Sequence, residues 1–221
     1  MITAVVVDNG ESLLEKSIES LRDQTERVHK IIIVGGDKTD YELARAIADE
    51  VYGPITKSIG DARVYGILKA EDEIILSCDS DTIYPPEYAE ICVTELREHE
   101  FVKASRAEPV DGYSDNPLRN ALIMLEQQFY PFVYYEHSLA FRKQAFLNYG
   151  LHEFEFQCKY QDIGYPLMFT KLVPVIPIED LLCYTRLPTR WWTDVLYAQG
   201  VPIMMASTIP STIAFYFIAS R

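Results

Sequence analysis

The sequence predicts an α/β fold, a mostly parallel sheet with helices on both faces, followed by an apolar C-terminal tail. Three observations predict it. Apolar runs rich in β-branched residues alternate with stretches of helical periodicity through the first half of the chain. Each run stops at a polar turn bearing glycine or aspartate. From Val195 to Ser220 no residue is charged, which sets the end of the chain apart.

Taken in order, Ile2–Val7 is a nearly continuous apolar run, as a strand buried on both faces requires. Ser12 is placed to cap a helix that carries Leu13, Leu14, Ile18 and Leu21 at helical spacing. Ile31–Val34 is a second buried strand, ended by Gly35-Gly36. Asp40 is placed to cap the next helix, with Leu43, Ala44, Ile47 and Val51 on its inner face. After Gly53-Pro54 the segment Asp61–Lys69 reads as a helix, and Glu73–Cys78 reads as a strand running into Asp79-Ser80-Asp81. This order is that of a parallel sheet covered on both sides. In such sheets ligands bind beyond the carboxyl ends of the strands. Three polar ends therefore converge: Asp8-Asn9-Gly10, Gly35-Gly36-Asp37 and Asp79-Ser80-Asp81.

The second half is less regular. Tyr88–His99 reads as a helix, Phe101–Ser105 as a strand, and Asn116-Pro117 opens a helix to about Gln128. The aromatic stretch Phe129–Tyr135 precedes a strand near Ser138–Phe141, and its rings are assigned to core packing. Leu172–Ile178 is extended, because Pro174 and Pro177 do not fit a helix interior.

Composition narrows the function. With 221 residues the chain forms one large domain, or one domain and an appendage. Hydrophobic residues at 48% against 24% charged are enough to build a core. Thirty-three acidic residues against 20 basic give a formal net charge of −13, which argues against a nucleic-acid partner. Cys78, Cys92, Cys158 and Cys183 show no CxxC and no ligand spacing, so scattered reduced thiols in a cytoplasmic protein are expected. The N-terminus has no basic region before its apolar run and reads as a strand, not a signal peptide.

Two carboxylates one residue apart at a strand end face one point if the chain turns there. Such a pair suits a hard divalent cation, whose shell is completed by phosphate oxygens. The competing use is a turn whose side chains cap backbone amides. The preceding buried strand favours the cation.

Here the sequence resembles family 2 glycosyltransferases of the GT-A fold, a Rossmann-like architecture, over roughly residues 1–185. Ile31-Ile32-Ile33-Val34-Gly35-Gly36-Asp37-Lys38-Thr39-Asp40 resembles the family's strand and acidic turn, which binds the nucleoside. Gly60-Asp61-Ala62-Arg63-Val64-Tyr65-Gly66-Ile67 is similar to its Ala-Arg-Asn-x-Gly segment. Ile74-Ile75-Leu76-Ser77-Cys78-Asp79-Ser80-Asp81, with Pro85-Pro86 after it, resembles its metal-binding motif. His137-Ser138-Leu139-Ala140-Phe141-Arg142 resembles the acceptor-side strand, and Gln161-Asp162-Ile163-Gly164 falls where the family has Glu-Asp. The departures are Gly35-Gly36 for the family's paired aspartates, Val64 for its asparagine and Gln161 for its glutamate.

The resemblance implies transfer of a sugar from a UDP- or GDP-linked donor to an acceptor hydroxyl, with Mn2+ or Mg2+ as cofactor. It implies Asp162 as catalytic base, acting from the acceptor side with inversion. It implies Asp79 and Asp81 as metal ligands, and Asp8, Glu11, Asp37, Arg63, Asp79, Ser80 and Asp81 as the nucleotide-sugar set. For Arg63 a solvated helix charge and a ligand contact remain equally open. On this reading residues 1–188 form the catalytic domain, with 1–105 the nucleotide-sugar half and 106–188 the acceptor half. Residues 189–221 form the tail. Trp191-Trp192 with Arg186 and Arg190 suggests peripheral docking on a cytosolic membrane face. The alternative is packing on the domain or on a second copy. Gly200, Pro202 and Pro210 interrupt any span.

Two rival functions differ in their signatures. A haloacid-dehalogenase-type phosphatase places its D-x-D on the first strand, with Thr or Val where Ile83 stands here. A non-catalytic sugar-nucleotide-binding protein of the same fold is consistent with Gly35-Gly36 and Gln161.

Overall fold

In a computed structural model of the chain, the described residues are 1–110, 112, 138–156 and 175–185. They contain β1 (Ile2–Asp8), α1 (Leu14–Arg22), β2 (Lys30–Gly35), α2 (Tyr41–Ile47), β3 (Glu50–Tyr52), α3 (Ile59–Lys69), β4 (Ile74–Asp79), β5 (Thr82–Ile83), α4 (Tyr88–Glu95), β6 (Phe101–Pro109), β7 (Ser138–Arg142), α5 (Lys143–Asn148) and β8 (Val175–Thr185). These strands form one sheet in the order β3-β2-β1-β4-β7-β6-β8-β5. Pairing is parallel from β3 through β4 and between β6 and β8. Only β7 and β5 run against the rest.

The strand alternation decides which face each side chain covers. On β1, Ile2, Ala4 and Val6 face the layer of α1, α2 and α4, with Leu14, Ile18, Leu21, Ala44 and Cys92. Val5, with Ile32 and Val34 of β2, faces the opposite layer, where α3 and α5 bring Ala62, Ile67 and Phe146. Both faces are buried, so these strands read as unbroken apolar runs. Helix α3 lies close to the sheet because Gly66 is small: a Cβ there would stand 2.5 Å from Val5 Cγ1.

Several expectations need correction. Ser12 does not cap α1; the helix starts at Leu14, and Leu13 at the cap position makes no side-chain bond. Asp40 does cap α2, accepting from the amides of Glu42 and Leu43. That helix ends at Ile47, and Val51 lies on the short edge strand β3 instead. Val51 still packs against the α1/α2 core, which is why it continued the helical pattern. Helix α4 stops at Glu95, short of His99. The strand at Phe101 runs on to Pro109, and β8 reaches Thr185.

The β6–β8 pair carries an irregularity at Ser105, where the register shifts between Ala104 and Arg106. Opposite it, Asp180 has φ 64, a left-handed conformation unusual for a residue other than glycine. The Ser105 hydroxyl donates to the Leu181 carbonyl across the same point. Bulges of this kind bend a ladder. Beyond the bend, β8 pairs with β5 in the register Thr82↔Thr185, and the sheet curls back to the residues after the acidic turn. The expected helix at 116–128, the aromatic stretch 129–135, the Asp162 segment and the tail lie outside the described residues. The division at 188 rests on the sequence alone.

Candidate active site

The chain steps outward from β1 to β2 and β3, then returns to place β4 on the other side of β1. The carboxyl ends of β1 and β4 thus border the point where the winding reverses, where open α/β sheets bind ligands. Val7 is in register with Asp79, and Asp8 with Gly35.

The acidic turn is fixed through its backbone. The Asp79 amide donates to Tyr84 Oη at 3.0 Å, and the Asp79 carbonyl accepts from Ser17 Oγ at 3.0 Å. The Ser80 amide donates to the Val7 carbonyl at 3.2 Å. Helix α1 and the residues just past its end continue this grip: Ser20 Oγ accepts from the Tyr84 amide, and Gln24, two residues beyond Arg22, bonds the Pro85 carbonyl and the Ala89 amide. Ser17, Ser20 and Gln24 were not singled out from sequence. Their signal is two hydroxyl-bearing residues three apart on a helix that is otherwise apolar inward, with an amide just past its end.

Arg63 is not a solvated charge. It is 1% exposed. Its Nη1 donates to Ser77 Oγ at 3.0 Å and the Cys78 carbonyl at 2.9 Å, while Nη2 pairs with Asp79 Oδ1 at 2.5 Å. Residues 77 and 79 share the sheet face opposite Cys78, the face that α3 covers. A guanidinium with fixed fork geometry suits this task better than an ammonium.

Asp81 stands two residues beyond Asp79. Burial pushes its carboxyl up to about 7, and the negative charges of Asp79 and Glu11 push the same way. Glu11 is exposed at the end of the β1 loop. Ser80, between the two aspartates, is 2% exposed, and its amide completes the turn. Asp8 is buried, and its carboxylate accepts from the amides of Gly10 and Glu11 at 3.0 and 3.2 Å, so it shapes the loop. Asp37 is exposed at the β2 end.

The donor set at the turn is oxygen throughout, and the excess negative charge that raises Asp81 is what a divalent cation relieves. A hard cation fits these residues. Among the described residues no three His, Cys, Asp or Glu side chains are gathered into a ligand set, so such an ion takes further ligands from elsewhere. Beneath the turn, Cys78, Cys92 and Cys183 are free and buried in one core cluster, gathered where the sequence scatters them. No helix among the described residues is long and apolar enough to cross a membrane.

The family model "Glycosyl transferase family 2" matches residues 3–160. The chain belongs to this family. A search of curated proteins returns no match. Among solved structures the chain is similar to S. aureus TarS, at 15% identity and TM-score 0.58, over 84% of this chain and 36% of that one. It is similar to the mannosyltransferase PcManGT from Pyrobaculum calidifontis in complex with GDP-Man and Mn2+, at 16% identity and TM-score 0.59, over 86% and 58%. It is also similar to glucosyl-3-phosphoglycerate synthase from Mycobacterium tuberculosis in complex with Mn2+ and UDP-glucose, at 18% identity and TM-score 0.60, over 94% and 78%. At such identities the likeness establishes the fold. This family 2 member thus has a GT-A sheet, and it spans little more than a third of TarS.

Proposed function

We propose that this chain is a metal-dependent glycosyltransferase that moves a sugar from a UDP- or GDP-linked donor to an acceptor hydroxyl, with inversion. The observation that carries the reading is the Asp79-Ser80-Asp81 turn. It is held at the winding reversal by Ser17, Tyr84 and the Val7 carbonyl, with Arg63 buried against Asp79. Family membership supports it, as do the Mn2+ and nucleotide sugars in the names of the similar structures.

Asp81 would hold Mn2+ or Mg2+ directly, and Asp79, oriented by Arg63, would face the donor's phosphates. The bound cation supplies positive charge for the departing nucleoside diphosphate. The acceptor oxygen forms its bond to the anomeric carbon as the bond to the diphosphate breaks, and the diphosphate leaves with the electron pair. Asp162 takes the acceptor proton, a role typically contributing about 10²–10⁴-fold in rate.

A thermal-shift panel of UDP- and GDP-sugars with and without Mn2+ tests donor binding, since a ligand at a hundred times its Kd stabilises by about 2.7 kcal/mol. Shifts that need Mn2+ and vanish in Asp81→Asn are expected. Unchanged nucleotide affinity in EDTA refutes the metal. Asp162→Asn should keep binding and lose turnover; binding without turnover in the parent chain indicates a sugar-nucleotide-binding protein instead. For the tail, docking on a cytosolic membrane face predicts sedimentation with anionic liposomes that is lost on Trp191→Ser with Trp192→Ser.

A further inference from the structure

The residue after Asp81 is a threonine with two oxygen neighbours. Thr82 Oγ1 stands 3.4 Å from Asp81 Oδ1 and 3.1 Å from Thr185 Oγ1. Thr82 is fully buried, so its hydroxyl is satisfied by these groups and not by bulk water. Burial and the charges of Asp79 and Glu11 disfavour the ionised Asp81 carboxyl, and the Thr82 hydroxyl favours it.

A threonine hydroxyl has one proton to donate and lone pairs to accept with. A carboxylate that binds a metal is ionised and can only accept. If Thr82 gave its proton to Thr185, its oxygen would face the Asp81 carboxylate with a lone pair. If Thr82 donates to Asp81 and Thr185 donates to Thr82, both contacts are hydrogen bonds. The donors therefore run from Thr185 through Thr82 to Asp81. The two threonines are 103 positions apart in sequence. They meet where β8, beyond the irregularity at Ser105, pairs with β5 in the register Thr82↔Thr185. The Thr185 carbonyl accepts from the Val110 amide at 3.0 Å, which fixes the backbone that carries the first hydroxyl of the chain.

Facing threonines on antiparallel strands commonly bond one another, and such a pair alone only ties two strands. Here the pair ends on a carboxylate of the acidic turn. We infer that Thr82 and Thr185 are positioning residues, which together hold the Asp81 carboxylate in the orientation that receives a divalent cation. This rests on the metal-dependent reading above. A carboxylate held on one oxygen turns less freely, so less freedom is lost when the cation binds. Hydrogen-bond partners behind a metal ligand typically contribute about 10–100-fold in affinity.

Titration calorimetry of the full chain with Mn2+ tests the inference. Thr82→Val and Thr185→Val remove a hydroxyl, keep the branched shape and suit a strand. Each is expected to weaken Mn2+ binding about tenfold, the low end of that range. The double variant should bind no more weakly than Thr82→Val alone, because Thr185 acts only through Thr82. Thr185→Ser keeps the hydroxyl and should bind as the parent does. Parent-like Mn2+ affinity in Thr185→Val, or equal losses in Thr185→Ser and Thr185→Val, overturns the inference and leaves the metal site standing. Absence of Mn2+ binding by the parent chain overturns the inference and the metal-dependent reading together.

Discussion

Strands β2 and β4 flank β1 and end at the same edge of the sheet, yet the loops after them are held by different means. After β4, polar side chains brought from α1, α3 and the segment behind the turn bond its backbone: Ser17, Arg63 and Tyr84. After β2, Gly35 and Gly36 leave room for Tyr41, Thr39 and Asn9 to close on the chain, the Gly36 amide reaches the Asp8 carbonyl, and the Thr39 and Tyr41 hydroxyls bond backbone carbonyls. The first arrangement concentrates carboxylates and orients them. The second packs two buried glycines against Asn9, Thr39 and Tyr41.

Removing the cation that organises the β4 loop should have the largest effect. Arg63→Met leaves Asp79 without this partner and removes a donor from Ser77 Oγ and from the Cys78 carbonyl. Because Asp79 is a third exposed, the low end of the usual range applies, about 3 kcal/mol by urea unfolding. Mn2+ affinity should fall about 10–100-fold in Arg63→Lys, as for other partners that orient a ligand. Unchanged stability in Arg63→Met would sink the view that polar bonds hold this loop.

On the glycine side the expected effect is smaller. Gly10→Ala meets a backbone oxygen at positive φ and should cost about 2 kcal/mol. Gly36→Ala meets only the movable end of Asn9, so about 1 kcal/mol or less is expected, and it should vanish when Asn9→Ala is added.

A pH measurement separates the two loops again. With its carboxyl raised to about 7 from 3.8, Asp81 in the metal-free protein binds a proton that the unfolded chain has released. Its contribution to stability is complete below about 3.8 and is lost as pH rises to about 7. Relative to the parent, Asp81→Asn should gain stability steadily across that window, with no further gain above it. Mn2+ competes with this proton, so its affinity should weaken as pH falls below 7. An Asp37→Asn variant, at the exposed position after the two buried glycines, is expected to leave this profile unchanged.

Strands β1, β2 and β4 were legible because burial on both faces demands unbroken apolar runs, and their polar ends marked the site edge. Asp40 was legible as a cap because its local geometry decides the matter. Val51 was not, since a residue facing the same core from an edge strand continues a helical pattern. Arg63 was opaque for a different reason: a lone arginine on a helix is read as solvated unless its partner across the sheet is known. The small residues Ala62 and Gly66, four apart, were the sign that this helix face lies against the sheet. The curl at Ser105 and Asp180 depends on a pairing between strands far apart in sequence, and no local pattern announces it.

The buried thiols beneath the acidic turn give the protein an internal reporter. Cys78 precedes Asp79, is wholly buried, and burial pushes its thiol up to about 12. Cys92 and Cys183 are likewise buried with thiols raised. Thiolate is the species that reacts with maleimides, so these sulfurs stay silent in the closed fold and respond when the sheet opens. With Cys158 replaced by serine, the rate of alkylation counts openings of the layer that carries the turn. Any ligand that settles on Asp79 and Asp81 should slow that clock, whatever its chemistry.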